Sequence, residues 1–446
     1  MSIARSAPLR SAISNGLKAQ QARTFSTAKA AGSINVAAAD DGAPTSTITV
    51  AVKAGPRYEA VPGAAHVLKD FLFKSTDKRS ALRLIRETEL NGGVLSTSLT
   101  KEHLLLTAEF LRGDEDYFVE ILGDVLSRSK FARHEFEEEV VPQVQAEYGQ
   151  AFASPEIIGY DSLLQTAYRQ RGLGSSLFAS PVTPVSYKTV VDYAKQVFSK
   201  NNIAVLGSGI EAGKLSELVS KNFADVSASG SVPSTASKYF GGEQRVAFAA
   251  PHGSEGGRAS FGHFFVGYEG AGLNDAKSAA EFSVLRSLLG GESSVKWSKG
   301  LSPLSQISES VAGAKAEAFN LTFSDSGIFG AYISAPHAAI QEAASKAAQA
   351  IKEVAGGIKE EDVQKAIAKA KFESAAALES RSYSHQAAGG QLLDGGKIST
   401  LEESFSALDA VKASGLSSIA EKLLKSKPTT VAVGDLHKLP YADECL

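Results

Sequence analysis

The sequence predicts an α+β protein of two homologous halves, each a mostly antiparallel sheet packed with helices. Three observations carry this expectation. At 446 residues the chain is too long for one ordinary core. A strand-like run, a helical pattern, a strand pair, a long amphipathic helix and a closing apolar strand occur in that order twice. Between the two series, Ser227 to Ser237 is rich in Ser, Gly, Pro and Thr and lacks apolar periodicity, which is linker composition.

The first half opens on Ser46-Thr47-Ile48-Thr49-Val50-Ala51-Val52, an alternating strand-like run. A helical pattern runs from Gly63 to Phe73. Next comes a strand pair, Gly93 to Ser98 and Glu102 to Glu109. An acidic helix start, Phe131-Ala132-Arg133-His134-Glu135, leads into an amphipathic helix carrying Glu147. The half closes on a helix and the short strand Ile203-Ala204-Val205-Leu206-Gly207.

The second half begins with Gly262 to Tyr268 and a helix from Ala276 to Leu289, stopped at Gly290-Gly291. Its strand pair is Ala314 to Phe323 and Ile328 to Tyr332, joined by the turn Ser324-Asp325-Ser326-Gly327. Ile358 to Asp362 starts a helix carrying Glu373, and Val431 to Gly434 is the closing strand. Strands clustered around long helices, without strict βαβ alternation, favour antiparallel-rich sheets. The chain therefore divides into a leader (1–25), a first domain (26–226), a linker (227–245) and a second domain (246–446).

The leader holds Arg5, Arg10, Lys18, Arg23 and several serines, and the first acid is Asp40. Basic, Ser-rich and acid-poor is the composition of a mitochondrial transit peptide. Arg23-Thr24-Phe25-Ser26 resembles a processing site cut between Phe25 and Ser26. Its removal leaves 42 Lys and Arg against 49 Asp and Glu, a net charge of −7. A modestly acidic body offers nucleic acid no attractive field. No run approaches the roughly 20 consecutive apolar residues of a membrane-spanning helix. Cys445 is the sole cysteine and sits beside the end of the chain, where a frayed terminus is expected. Disulfides and thiolate metal clusters within one chain are thereby excluded.

The segment that bears on chemistry is Pro62-Gly63-Ala64-Ala65-His66-Val67-Leu68-Lys69-Asp70, continuing through Phe73-Lys74-Ser75-Thr76, with Glu89-Leu90-Asn91-Gly92-Gly93 beyond it. It resembles the pitrilysin and mitochondrial processing peptidase family, and the resemblance covers essentially the whole chain after the leader. Active members of that family carry an inverted zinc motif, His-x-x-Glu-His, with a distant Glu as third ligand. Two His four apart on one helical face and the Glu leave zinc's fourth position for water, and the motif Glu is the base. On this resemblance His66 stands at the first ligand position, Lys69 at the base and Asp70 at the second ligand. The third ligand falls near Val144, with Glu147 as the alternative if the register slips. Pro142 falls where the family's helix continues, which marks a reshaped region. The expectation is a degraded zinc motif with no catalytic, metal or cofactor residues. Lys69 and Asp70 then pair with neighbouring charges, and His66 is a satisfied polar residue.

The other histidines (His103, His134, His252, His263, His337, His385, His437) form no i, i+4 pair with one another. Leu288 to Gly300 is a Gly/Ser-rich loop holding Trp297, the sole tryptophan, and lacks the spacing of a phosphate cradle. Where the presequence-binding α subunit of the processing peptidase carries a longer glycine-rich loop, this one is short. It is similar to the loop of the family's non-catalytic members in respiratory complex III. That resemblance implies a structural subunit pairing with a second core subunit, cytochrome b and cytochrome c1 in a dimeric complex. Such a subunit is peripheral on the matrix side of the mitochondrial inner membrane, and electron transfer from ubiquinol to cytochrome c belongs to other subunits. The alternatives are an inactive presequence-binding α subunit and a divergent zinc endopeptidase.

Overall fold

The computed structural model describes residues 25–29, 34–228, 230, 232, 235–249, 261–291 and 300–446. Residues 1–24 of the expected leader, His252 and the loop residues 292–299 with Trp297 lie outside the described residues, as does part of the expected linker.

The first sheet is built from β1 (Ser26–Lys29), β2 (Asn35–Ala39), β3 (Thr45–Val52), β4 (Val94–Leu99), β5 (Leu104–Leu111) and β6 (Ile203–Ser208). Its order is β1-β2-β6-β3-β5-β4, antiparallel at every ladder except β2–β6. The helices of this half are α1 (Ala64–Phe71), α2 (Ala81–Leu90), α3 (Glu115–Arg128), α4 (Val141–Ala151), α5 (Pro155–Ala167), α6 (Tyr187–Val197) and α7 (Ala212–Asn222).

The second sheet contains β7 (Gly242–Ala247), β8 (Phe261–Glu269), β9 (Lys315–Thr322), β10 (Gly327–Pro336) and β11 (Thr429–Gly434). Its order β7-β11-β8-β10-β9 reproduces β2-β6-β3-β5-β4 strand for strand, including one parallel ladder, β7–β11. Its helices are α8 (Ala276–Leu289), α9 (Ser305–Ser310), α10 (Ile340–Ala355), α11 (Glu360–Glu379), α12 (Arg381–Gly395), α13 (Leu401–Asp409), α14 (Ala413–Lys425) and α15 (Ala442–Cys445). Residues 242–245, expected as linker, form the start of β7. Gly242-Glu243-Gln244-Arg245 shows no apolar alternation because β7 is an edge strand with no fully buried residue.

The alternation read in β3 separates large side chains from small ones, and both faces are covered. Ile48, Val50 and Val52 point into the main core with Phe118, Val119 and Ile121 of α3. Ala51 on the opposite face packs with Ala37, Ala204 and Leu206 beneath Ala388 and Leu392 of α12, a helix from the second half. Close approach needs the small residues: a Cβ on Gly389 would stand 2.8 Å from the Ala51 Cβ. The second sheet receives α5 from the first half in the same way. Leu163, Leu164 and Ala167 of α5 pack on Phe265, Ile328, Val431 and Val433, and a Cβ on Gly159 would collide with the Phe265 ring at 2.0 Å. Each half thus lends one helix to the outer face of the other's sheet.

The chain end is docked, contrary to the frayed terminus expected for Cys445. Cys445 is buried in the second core, and burial pushes its thiol up to about 11. Tyr441 sits beside it over the Arg245 guanidinium, 3.8 Å from ring centroid to Cζ.

Candidate functional site

The site forms where α1 faces α4. Gly63 opens α1 at φ 90°, a left-handed conformation that favours glycine. A side chain there would also collide with Ala179, whose Cα would lie 2.7 Å from the new Cβ. Glu59 caps the helix, its carboxylate accepting the Gly63 and Ala65 amides at 2.9 and 3.0 Å. Burial pushes the Glu59 carboxyl up to about 7 against those hydrogen bonds.

Spacings of three and four residues put His66, Lys69 and Asp70 on one face of α1. Opposite, α4 presents Gln143 and Glu147. A π-helical turn, Phe136–Val140, runs without a break into α4, and Pro142 lies directly after it, where the widened turn accommodates a residue that has no N–H to donate.

The structure settles the register left open by sequence. Val144 is buried in the main core, while Glu147 meets the α1 face. His66 Nε2 lies 2.9 Å from Glu147 Oε2 and 3.7 Å from Asp70 Oδ2. Lys69 Nζ donates to the same Glu147 oxygen at 2.6 Å and pairs with Asp70 Oδ1 at 2.8 Å. Gln143 Nε2 donates to Asp70 Oδ1 at 3.2 Å. Behind the site the Ala179 amide donates to His66 Nδ1 at 3.1 Å, and the Phe178 ring stands edge-on to the imidazole. Gln143, Ala179 and Glu59 were not singled out from sequence. Gln143 was legible in principle, because Gln143 and Glu147 are four apart on a helix whose Val144 is apolar.

The charges are arranged around the ammonium. Partial burial opposes ionisation of Glu147, but the Lys69 and His66 hydrogen bonds outweigh it and hold the carboxyl at about 2. Burial raises the Asp70 carboxyl despite Lys69. Burial works against the Lys69 ammonium, but its two carboxylate partners keep its pKa above the usual lysine value. An open cleft of about 390 Å³ runs from Lys69 and Asp70 past Gln143, Leu84 and Ile85 to Val94 on the edge strand β4.

Among the described residues, His66, Asp70 and Glu147 are the one group of three whose ligand atoms lie close enough together to hold a metal, within 4.8 Å. Asp70 Oδ2 has no hydrogen-bond partner and is the atom Asp70 would offer a metal. Two features nevertheless make the site a poor fit for zinc. Glu147 Oε2, the oxygen beside His66, is already bound to a fixed ammonium, and a divalent ion on that oxygen would meet repulsion on the order of several kcal/mol. His66 Nδ1 receives an N–H, so the neutral ring carries its proton on Nε2, the nitrogen that faces Glu147. No carboxylate holds the base position, which Lys69 occupies, so no chemical step through a metal-bound water follows.

The second half has no matching cluster among the described residues. Glu373 on α11 instead pairs with Arg286 at 3.0 Å and accepts from Ser287 at 3.2 Å. His385 is packed between Thr49 and Ser208, His263 bonds the Tyr332 hydroxyl, and His103 is buried.

Comparison with known proteins agrees with this architecture. A mitochondrial cytochrome b-c1 complex subunit 2 from Cryptococcus neoformans is 45% identical over 93% of each chain. The Neurospora crassa protein of the same description is 40% identical, over 92% of this chain and 89% of its own. The human one is 28% identical over the same shares. Residues 35–180 match the family model described as insulinase (peptidase family M16), and residues 184–370 match the M16 inactive domain. The chain belongs to peptidase family M16 and is similar over most of its length to members described as subunit 2 of the mitochondrial cytochrome b-c1 complex.

Proposed function

We propose that the chain is a non-catalytic structural and assembly subunit of mitochondrial complex III, holding the place of core protein 2. The observation that carries this reading is 45% identity over 93% of both chains to a relative that is subunit 2 of that complex. The site agrees, since a lysine stands where the family's general base would be. The protein is not an enzyme. The presequence-binding α subunit and the divergent zinc endopeptidase are not favoured.

Within the complex the chain pairs with core protein 1 and meets cytochrome b and cytochrome c1, in a dimeric assembly on the matrix side of the inner membrane. Among the described residues no helix is long and apolar enough to cross a membrane, so attachment runs through the other subunits. Residues 1–25 direct import and are removed. Residues 26–226 form the first domain, and the linker that starts at 227 leads into a second domain whose sheet begins at Gly242.

Gentle extraction of mitochondrial membranes, native separation and identification of co-migrating chains test the reading. Co-migration with cytochrome b and cytochrome c1 is the expected result. A soluble heterodimer that binds presequences would replace it with the α-subunit reading.

A further inference from the structure

We infer that Lys69 is the resident cation of this site and that its ammonium and a divalent metal ion exclude one another. Two helices are joined here by charge. Lys69 and Asp70 come from α1, Glu147 from α4, and the ammonium bridges Asp70 Oδ1 at 2.8 Å and Glu147 Oε2 at 2.6 Å. Without a cation these carboxylates would face one another across the contact and repel. One ammonium offsets that repulsion and supplies hydrogen bonds to both, which is the electrostatic work a metal ion would do. Unlike a metal ion it is covalently fixed, so the contact does not depend on metal supply.

A second feature fixes the same outcome. A neutral imidazole has one N–H, and the Ala179 amide aimed at Nδ1 at 3.1 Å assigns it to Nε2. Metal binding through Nε2 would move that proton to Nδ1, where it would face another donor. The ligands open to an ion once Lys69 is gone are therefore the Asp70 and Glu147 oxygens. Carboxylate oxygens suit Mn²⁺, which makes it the probe. The inference concerns this chain by itself and stands or falls apart from any assembly.

The test compares the full chain after the leader with Lys69→Met, Lys69→Arg and the double variant Lys69→Met/Glu147→Gln. Free Mn²⁺ is followed by its paramagnetic resonance signal and stability by melting temperature. Wild type and Lys69→Arg should leave the Mn²⁺ signal unchanged and melt alike with and without the ion. Lys69→Met should melt lower by about 2–4 °C, take up Mn²⁺ and regain stability as its concentration rises. The double variant should lose that response. Uptake of one ion per chain by wild type would overturn the inference. So would a Lys69→Met protein that melts like wild type or ignores Mn²⁺. If Lys69→Met does not fold, Lys69→Arg decides: a folded variant without metal supports the cation role, and an unfolded one contradicts it.

Discussion

Arg57 in the first half grips Asp325 in the second through two parallel hydrogen bonds, Nη1 to Oδ1 at 2.8 Å and Nη2 to Oδ2 at 2.6 Å. The guanidinium also donates to buried Glu102 at 2.6 Å, and Glu102 in turn accepts the Ser324 amide and hydroxyl at 3.0 and 2.6 Å. Asp325 accepts the Ser237 amide at 2.8 Å, which ties the end of the linker into the same knot. Arg57→Ala leaves Glu102 buried without its cation, and removing one partner of a buried pair costs about 3–5 kcal/mol. The midpoint of denaturant unfolding should fall accordingly. Arg57→Lys, which keeps the charge and loses the fork, should fall less.

The contact between halves should weaken in mild acid. Burial holds His385 and His263 at about 4, below the usual histidine value of 6.5. His385 bridges Thr49 and Ser208, while the Tyr332 hydroxyl links His263 to Glu156 on α5. Between pH 6.5 and 4 the unfolded chain binds these protons and the native one does not. Stability is therefore full above about pH 6.5 and declines as pH falls toward 4, by about 3 kcal/mol for fully buried His385 and less for His263. Melting curves across that window should show the slope, and His385→Gln should flatten it.

Because helices are exchanged, the halves should unfold together. Leu163 on α5 is fully buried against the second sheet, so Leu163→Ala should cost about 2–5 kcal/mol. Calorimetry should show one transition moved to lower temperature. Two separate transitions would mean that the halves are stable alone.

Gly63→Ala probes the entrance to the site. Left-handed backbone strain at a non-glycine residue costs about 1–3 kcal/mol, and the collision with Ala179 adds to it. Lower thermal stability should be accompanied by a shift in the His66 imidazole resonances, because the Ala179 amide that holds Nδ1 must move.

Much of this was legible from residue pattern. The helix expected from Ala276 to Leu289 forms over that span, and the strand expected at 46–52 forms over 45–52. Strong periodicity and glycine stops explain that agreement. The strands β1, β2 and β7 escaped because they are short or lie toward the sheet edge, and Gly242 to Arg245 shows no alternation. The helix exchange was hidden for another reason. Gly159 and Gly389 matter through residues far along the chain, and local pattern carries no record of such partners. At the site, His66, Lys69 and Asp70 were readable because they share one motif. Glu147 was ambiguous against Val144 until α4 showed which residue turns inward, and the Ala179 amide is a backbone group without any side-chain signal.

The scaffold role is tested most directly in mitochondria from cells lacking this chain, by measuring assembled complex III and the processing of imported precursors side by side. A scaffold predicts that the native band containing cytochrome b is lost while presequences are still removed. Intact complex III with unprocessed precursors accumulating would contradict it.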